Sequence, residues 1–330
     1  MHASSIRPLL VAYLVTSYQP SEQLWRLVSA LKRGDPDSAV VIYQDSSYVT
    51  LDPGIFSGLR DVHVLNSDEP IVWGDITQET SRWLSFRWIL ENLDVDWVMV
   101  LSGEDYPIAP LPHFHDRLLN TDADAIICGE RIDHSATPEQ LHEWTLRYLF
   151  HYRRLPSTGV ENRLPERWRR PLTRARRLCY GAFNRVQPWL FIYALPVSIR
   201  QATRIGQRAK HSPFSGAFPC WHHEPWYALS STALRRVVEY LDENPSFVDH
   251  YARTIVPVES ATGTIIFNDP ELKVDNSVLH AIRWSNPLSG RPDEFGIQDL
   301  AFLRSSDAMF ARKFPSDSGA LFDELDKDIF

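Results

Sequence analysis

WVMVLSGEDYPIAPL, residues 97–111, is the stretch on which the fold of this 330-residue chain turns. The run Trp97 to Leu101 has the length and apolar content of a strand buried on both faces. It stops at a Ser-Gly pair, and two acids follow at once. A strand end carrying acids invites a metal reading, but Glu104 and Asp105 are adjacent. Side chains of neighbours in an extended segment diverge, so the pair is not a two-carboxylate grip. Gly103 is read as the turn, Tyr106-Pro107 as fixing the exit of the chain, and Glu104 as incidental.

Working outward, the same signal recurs. "LLVAYLVTS" (9–17), "AVVIYQD" (39–45), "VHVLN" (62–66) and "DAIICGE" (124–130) are further strand candidates. Between them lie amphipathic segments. Pro20 and Ser21 open a helix in which Leu24, Leu27, Val28 and Leu31 share one face, with Ser21 as N-cap. Asp75 and Gln78 resemble a capping box for "ITQETSRWLSFRWILENL". Buried strands alternating with helices predict a mostly parallel α/β sheet flanked by helices, in which ligands bind beyond the carboxyl ends of the strands. Thr16, Ser17, Asp45 and residues 102–105 sit at such ends. "WYALSSTALRRVVEYL" (226–241) predicts a further strand and helix. "HFHD" (113–116) reads as a polar helix start, "TGTIIF" (262–267) as strand-like, and the tail "FDELDKDIF" as a solvated end.

From Arg147 to Arg177 the character changes: ten arginines with Pro156, Pro165 and Pro171 make a broken basic segment. It reads as an insertion carrying solvated helices, as an acceptor platform, or as a peripheral contact for anionic lipid at the inner face of a membrane. The net charge of −8 gives no general reason to expect nucleic acid. Three scattered cysteines show neither metal spacing nor a disulfide framework, which suits a reducing, cytoplasmic setting. "LLVAYLV" is far too short to span a bilayer, and no signal or anchor is seen. Eleven tryptophans are an unusually rich supply; most read as core and interface packing, although the ring also stacks well on sugars. Gly-rich phosphate loops and zinc-type cysteine pairs are missing from the sequence.

Seven blocks in order give the chain a family likeness. "AYLVTSYQPSEQLWRLVSAL", "VIYQD", "VWGDITQETSRWLSFRWIL", "VMVLSGEDYPI", "WYALS", "VPVESATGTIIFN" and "MFARKF" resemble the Core-2/I-branching N-acetylglucosaminyltransferases and peptide O-xylosyltransferases of glycosyltransferase family 14. The likeness covers roughly residues 10–110 and 221–314 and leaves 135–220 unmatched. It implies one module of the Rossmann-like A-type sugar-nucleotide fold. An N-terminal nucleotide-sugar part would span 1–134, an Arg-rich helical insertion 135–220, and a part completing the acceptor and catalytic side 221–330.

The resemblance further implies an inverting transferase that moves a sugar, N-acetylglucosamine or xylose, from a UDP-sugar to a hydroxyl of a carbohydrate, peptide or small-metabolite acceptor. No metal or other cofactor would be needed. It puts the general base at Glu259, the diphosphate cations at Arg312 and Lys313 with Arg291 upstream, and the uridine or ribose contact at Asp45. Thr16 and Ser17 would line the nucleotide. Trp73, Gly74, Ser102, Gly103, Asp105, Glu224, Trp226 and Tyr227 would face donor sugar or acceptor, with Asp105 either a structural acid or one that orients substrate. Taken as bare residues, Glu259 is a solvated strand-end charge or a salt-bridge partner, Lys313 a helix-end charge, Arg291 a loop cation and Asp45 a turn-former. Two departures stand out: Val258 replaces the family's Asp before the Glu, and "HHEP" replaces its Gly-Ser before the aromatic pair. They leave room for a carbohydrate-binding or assembly protein that kept the fold and lost turnover.

Overall fold

The computed structural model describes residues 8–18, 21–133, 136–154, 165–186, 189–193, 203–285 and 291–330. Pro20, Pro156 and Arg163 of the segments read above lie outside them. Among the described residues, fifteen strands follow in chain order. They are β1 Val11–Ser17, β2 Ala39–Gln44, β3 Val62–Asn66, β4 Trp97–Ser102, β5 Tyr106–Pro107, β6 Ala125–Ile126, β7 Gly129–Arg131 and β8 Phe150–Arg154. Next come β9 Leu190–Tyr193, β10 Arg204–Arg208, β11 Trp221–His223, β12 Ala228–Ser230, β13 Val274–Asp275, β14 His280–Ile282 and β15 Phe310–Arg312.

The central sheet has seven strands in the order β13-β6-β12-β4-β1-β2-β3. All neighbours pair parallel except β12, which runs against both β4 and β6. The mostly parallel α/β class expected from the sequence is therefore the class observed. Strand β1 sits in the interior because VAYLV offers no polar face: Val11, Tyr13 and Val15 feed one core, and Ala12 and Leu14 the other. The helix Glu22–Gly34 covers the first face with Leu24, Leu27, Val28 and Leu31, and Ser21 accepts the Leu24 N–H at 3.1 Å as its cap. The helix Ile76–Asn92 covers the second with Trp83, Phe86 and Ile89. The chain winds outward to β2 and β3, then returns to lay β4 on the other side of β1. That reversal opens a crevice at the carboxyl ends of β1 and β4.

Several local expectations are corrected. "DAIICGE" is two short strands in different sheets, because β7 leaves to pair with β11. "TGTIIF" lies in the helix Ala261–Asn268, not in a strand. Its residues 261–266 are buried all round, and a segment with no solvent face carries no period by which sequence could tell it from a strand. The insertion is not purely helical: besides the helices Pro138–Tyr148 and Glu166–Val186 it builds an antiparallel sheet, β8-β10-β9. The acidic tail is not solvated. It forms the helix Gly319–Ile329, buries Leu321, Phe322, Leu325 and Ile329, and ties Arg26 to Asp323 and Asp326 at 2.6 and 2.9 Å. Asp75 holds the N-cap position of its helix without capping it. Its carboxylate is taken by Arg154 and Arg204 at 2.5 and 2.7 Å, and Gln78 accepts from Gly74 N–H instead.

Candidate active site

The crevice is closed from below by a small sheet, β14-β15-β5. Strand β15 pairs antiparallel with β5, with Ala311 opposite Tyr106, so the next residue, Arg312, arrives over the turn that ends β4. Strand β14 lies parallel to β15 and brings in His280. Asp105 is fully buried at the centre. Its carboxylate accepts from Ser102 N–H at 2.7 Å, Ser102 Oγ at 2.8 Å and Arg312 at 2.8 Å, and His280 Nε2 lies 3.4 Å away. Burial pushes the Asp105 carboxyl up, but Arg312 and His280 outweigh it and hold it below the usual range. With no exposed surface, Asp105 orients the turn and Arg312, the structural one of its two expected roles.

Glu104 is not incidental. Its carboxylate binds Arg312 at 3.0 Å and Lys313 at 2.8 Å and accepts from the Tyr18 hydroxyl at 3.2 Å. The "RK" pair thus stands at the strand end with an acidic cradle beneath it. Ser102 accepts from Arg312, and Gly103 N–H donates to Thr16 O at 3.0 Å, so Thr16, Ser102 and Gly103 meet there. Ser17 joins β1 to the end of β2 by accepting from Asp45 N–H at 2.8 Å. Asp45 is buried and accepts from Ser47 N–H at 3.0 Å, the turn-forming arrangement. Above it the exposed rings of Tyr18 and Tyr48 meet edge to face at 5.9 Å. Neither was singled out from sequence; only their places just beyond two strand ends could have marked them. Arg291 is exposed, at the start of the segment whose Phe295 N–H donates to Lys313 O.

Trp226 extends the site. Arg312 lies over its ring at 4.6 Å, Arg82 at 5.4 Å, and His280 is 5.6 Å away. Trp226, Glu224, His280 and Trp284 line a cavity of about 500 Å³. Tyr227 is different: β12 turns its ring into the core, fully buried, so it cannot reach an acceptor. His222 is partly buried and His223 fully buried. Burial holds both at about 3, so they are neutral; His222 stacks on Trp144 and bonds the Tyr148 hydroxyl, and His223 bonds Glu224 O. Among the described residues, no group of three His, Cys, Asp or Glu converges as a metal site.

Glu259 ends a short 3-10 turn, Pro257–Glu259, that starts from Val256 at φ 54°. Val256 N–H donates to Gly74 O at 3.0 Å, and Gly74 itself has φ 70°, a conformation glycine tolerates at no steric cost. The Trp73-Gly74 turn therefore holds the turn that carries Glu259, with Trp73 exposed. Arg147 donates to the Glu259 carboxylate at 2.6 Å, and that side chain keeps 26% exposure. Burial pushes the carboxyl up, Arg147 pulls it back, and it stands above the ordinary value. Glu224 is pushed up to about 7 by burial and by the charge of Glu259. Val258 is buried among Leu146, Phe150, Tyr152 and Ile255, which explains why no acid stands there.

Sequence reasoning missed Arg147 and the network behind Glu259. Glu79 is wholly buried, accepts from Thr262 N–H at 3.2 Å and from its hydroxyl, and lies 3.9 Å from Arg82. Charged residues at i, i+3 within the Trp83–Phe86 face of a buried helix were the available signal.

The fold and site define an α/β protein that sets a cation pair, an aromatic face and two elevated carboxyls beyond its parallel strands. No family model matches the chain. Over 116 residues, 34% of the chain, it is 31% identical to beta-glucuronosyltransferase GlcAT14B of Arabidopsis thaliana and 29% identical to GlcAT14A. The likeness is thus confined to a third of the chain, and it spans about a quarter (26%) of the length of these two plant proteins. Among solved structures, S. aureus TarS 1-349 gives a TM-score of 0.28 at 12% identity, covering 46% of this chain and 44% of that one. Its complex with UDP-GlcNAc gives 0.27 at 13% identity, covering 36% and 34%. HddC from Yersinia pseudotuberculosis gives 0.25 at 16% identity, covering 38% and 65%.

Proposed function

We propose that the chain is an inverting glycosyltransferase of the A-type fold, moving a sugar from a UDP-sugar to an acceptor hydroxyl without a metal. The observation that carries this reading is the disposition around Trp226. Arg312, followed by Lys313, lies over the ring at 4.6 Å and Arg82 at 5.4 Å; Arg82 also pulls on the Glu259 carboxyl, whose charge in turn raises Glu224. A reaction that expels a diphosphate while deprotonating a hydroxyl needs fixed cations and a separate base. Glu259 takes the acceptor proton, the alkoxide attacks the anomeric carbon from the face opposite the diphosphate, and the configuration inverts. Arg312, Lys313 and Arg291 offset the charge on the departing UDP, Arg through a bidentate fork and Lys as a point charge. Asp45, Tyr18 and Tyr48 suit the nucleoside end. Glucuronic acid joins N-acetylglucosamine and xylose as donor sugars to be tried, from the names of the plant relatives.

The test is turnover by Glu259→Gln with UDP binding measured alongside. The variant is expected to bind UDP and lose about 10²–10⁴-fold in rate; a near-normal rate removes Glu259 from the base role. Activity is expected to survive excess EDTA, and an absolute Mn²⁺ or Mg²⁺ requirement overturns the cation-clamp mechanism. The second reading, a sugar-binding protein without turnover, draws on Val258 in place of an acid. It is separated by assaying UDP-sugar hydrolysis and transfer to simple acceptors.

A further inference from the structure

We propose that the outer face of the helix Glu166–Val186, with Trp189 and Leu190 just beyond it, docks on the surface of an anionic lipid bilayer. The helix carries seven arginines against one glutamate in 21 residues, in a chain whose net charge is −8. Positive charge is therefore concentrated here. Arg167, Arg174, Leu178 and Arg185 recur at i, i+7, i+11 and i+18, one stripe at 3.6 residues per turn, and all four are exposed. Ala175, Ala182 and Val186 flank the stripe and are exposed too.

The face is not an ordinary solvated one. Leu178, Val186 and Trp189 keep 69%, 81% and 75% of their surface, large apolar side chains set among cations. Sequence offers this face no acids at i±4 to complete ion pairs, which a solvent-facing helix commonly uses. Cations that reach lipid phosphates, aliphatic side chains that enter the acyl boundary and a tryptophan at the headgroup level are the parts of an interfacial helix. No helix of the described residues is long and apolar enough to cross a membrane, so the expected mode is lying on the surface. A polynucleotide would use the arginines but leave Leu178 and Val186 without partners.

The face is also coupled to the candidate site. Asn184 exchanges two hydrogen bonds with the backbone of Ile192 on β9, at 2.8 and 3.0 Å. Strand β9 pairs with β10, which aims Arg204 at Asp75, and β10 pairs with β8, which aims Arg154 at the same carboxylate. A bilayer bound at the helix would thus stand in fixed relation to the crevice, whatever reaction occurs there.

The experiment is flotation of the full chain with vesicles of phosphatidylcholine alone or with phosphatidylglycerol, across a salt series. The wild type is expected to float with anionic vesicles at low salt, not with neutral ones, and to lose about tenfold in bound fraction at high salt. Arg174→Glu/Arg185→Glu is expected to abolish flotation. Leu178→Ser/Trp189→Ser is expected to weaken it several-fold with unchanged circular dichroism. No flotation of the wild type on anionic vesicles overturns the proposal, and that arm needs no variant to fold. So does flotation unaffected by the apolar double variant, or capture of single-stranded RNA by this face with the vesicles left unbound.

Discussion

Arg147 donates to the carboxylate of Glu259 across 2.6 Å, although 112 residues separate them in the chain. The guanidinium comes from the helix Pro138–Tyr148 of the insertion, and the carboxylate from the turn before the helix Ala261–Asn268. The insertion therefore completes the site. Burial pushes the Glu259 carboxyl up, and the pull of Arg147, with a smaller one from Arg82, draws it back.

Replacing Arg147 by Met removes that pull, so the Glu259 carboxyl rises further above its ordinary value. Only the ionised form accepts a proton, so the acid limb of kcat/KM is expected to move to higher pH. Arg147→Lys should restore part of the shift. A limb that stays put in Arg147→Met would separate this residue from the base.

Glu224 titrates in the folded state at about 7, above its ordinary 4.5. A raised acid binds its proton more tightly folded than unfolded. Folding stability therefore falls as pH rises from about 4.5 to 7 and stays reduced above that. Glu224→Gln is expected to stabilise the fold by on the order of 2 kcal/mol at pH 8, and to have little effect at pH 4. Urea melts at the two pH values check it; equal effects at both would show that the carboxyl does not titrate this way.

Asp105 holds Arg312 and the Ser102 turn while fully buried. Asp105→Ala leaves a largely buried guanidinium without one of its two carboxylates and is expected to cost about 3 kcal/mol in denaturant melts. A soluble variant of wild-type stability that merely raised the KM for donor would return Asp105 to the substrate-contact role.

Glu104 competes with any bound diphosphate for Arg312 and Lys313. Glu104→Gln removes the counter-charge and leaves the cations in place, so UDP is expected to bind several-fold tighter by calorimetry. Weaker binding would mean that Glu104 mainly orders the two cations.

The C-terminal helix gives a test remote from the chemistry. Leu325 is buried in the same core as β1, and Leu325→Ala is expected to destabilise by about 2–5 kcal/mol. An unchanged melting curve would return the tail to a solvated end.

Much of the architecture was legible because buried strands announce themselves. VAYLV, AVVIY and WVMVL have no polar face to hide, and the Leu24–Leu31 stripe has one apolar side. The helix Ala261–Asn268 was misread because burial on all sides erases periodicity. The tail was misread because its acids drew attention from Leu321, Leu325 and Ile329, four residues apart.

By itself the sequence determined the mostly parallel sheet, the strand ends that border the crevice, and the presence of one lone acid and one cation pair. Residue type and spacing suffice for such features, because they act over a few bonds. Only tertiary structure decided what the acids after "VMVL" do. The register of β15 on β5 sets Arg312 over Asp105, so one carboxylate becomes a buried anchor and its neighbour a half-buried cradle for Lys313. Likewise only packing brought Arg147 to Glu259 and Glu224 near enough to feel its charge. Electrostatic coupling depends on distance and burial, and neither is written in linear order.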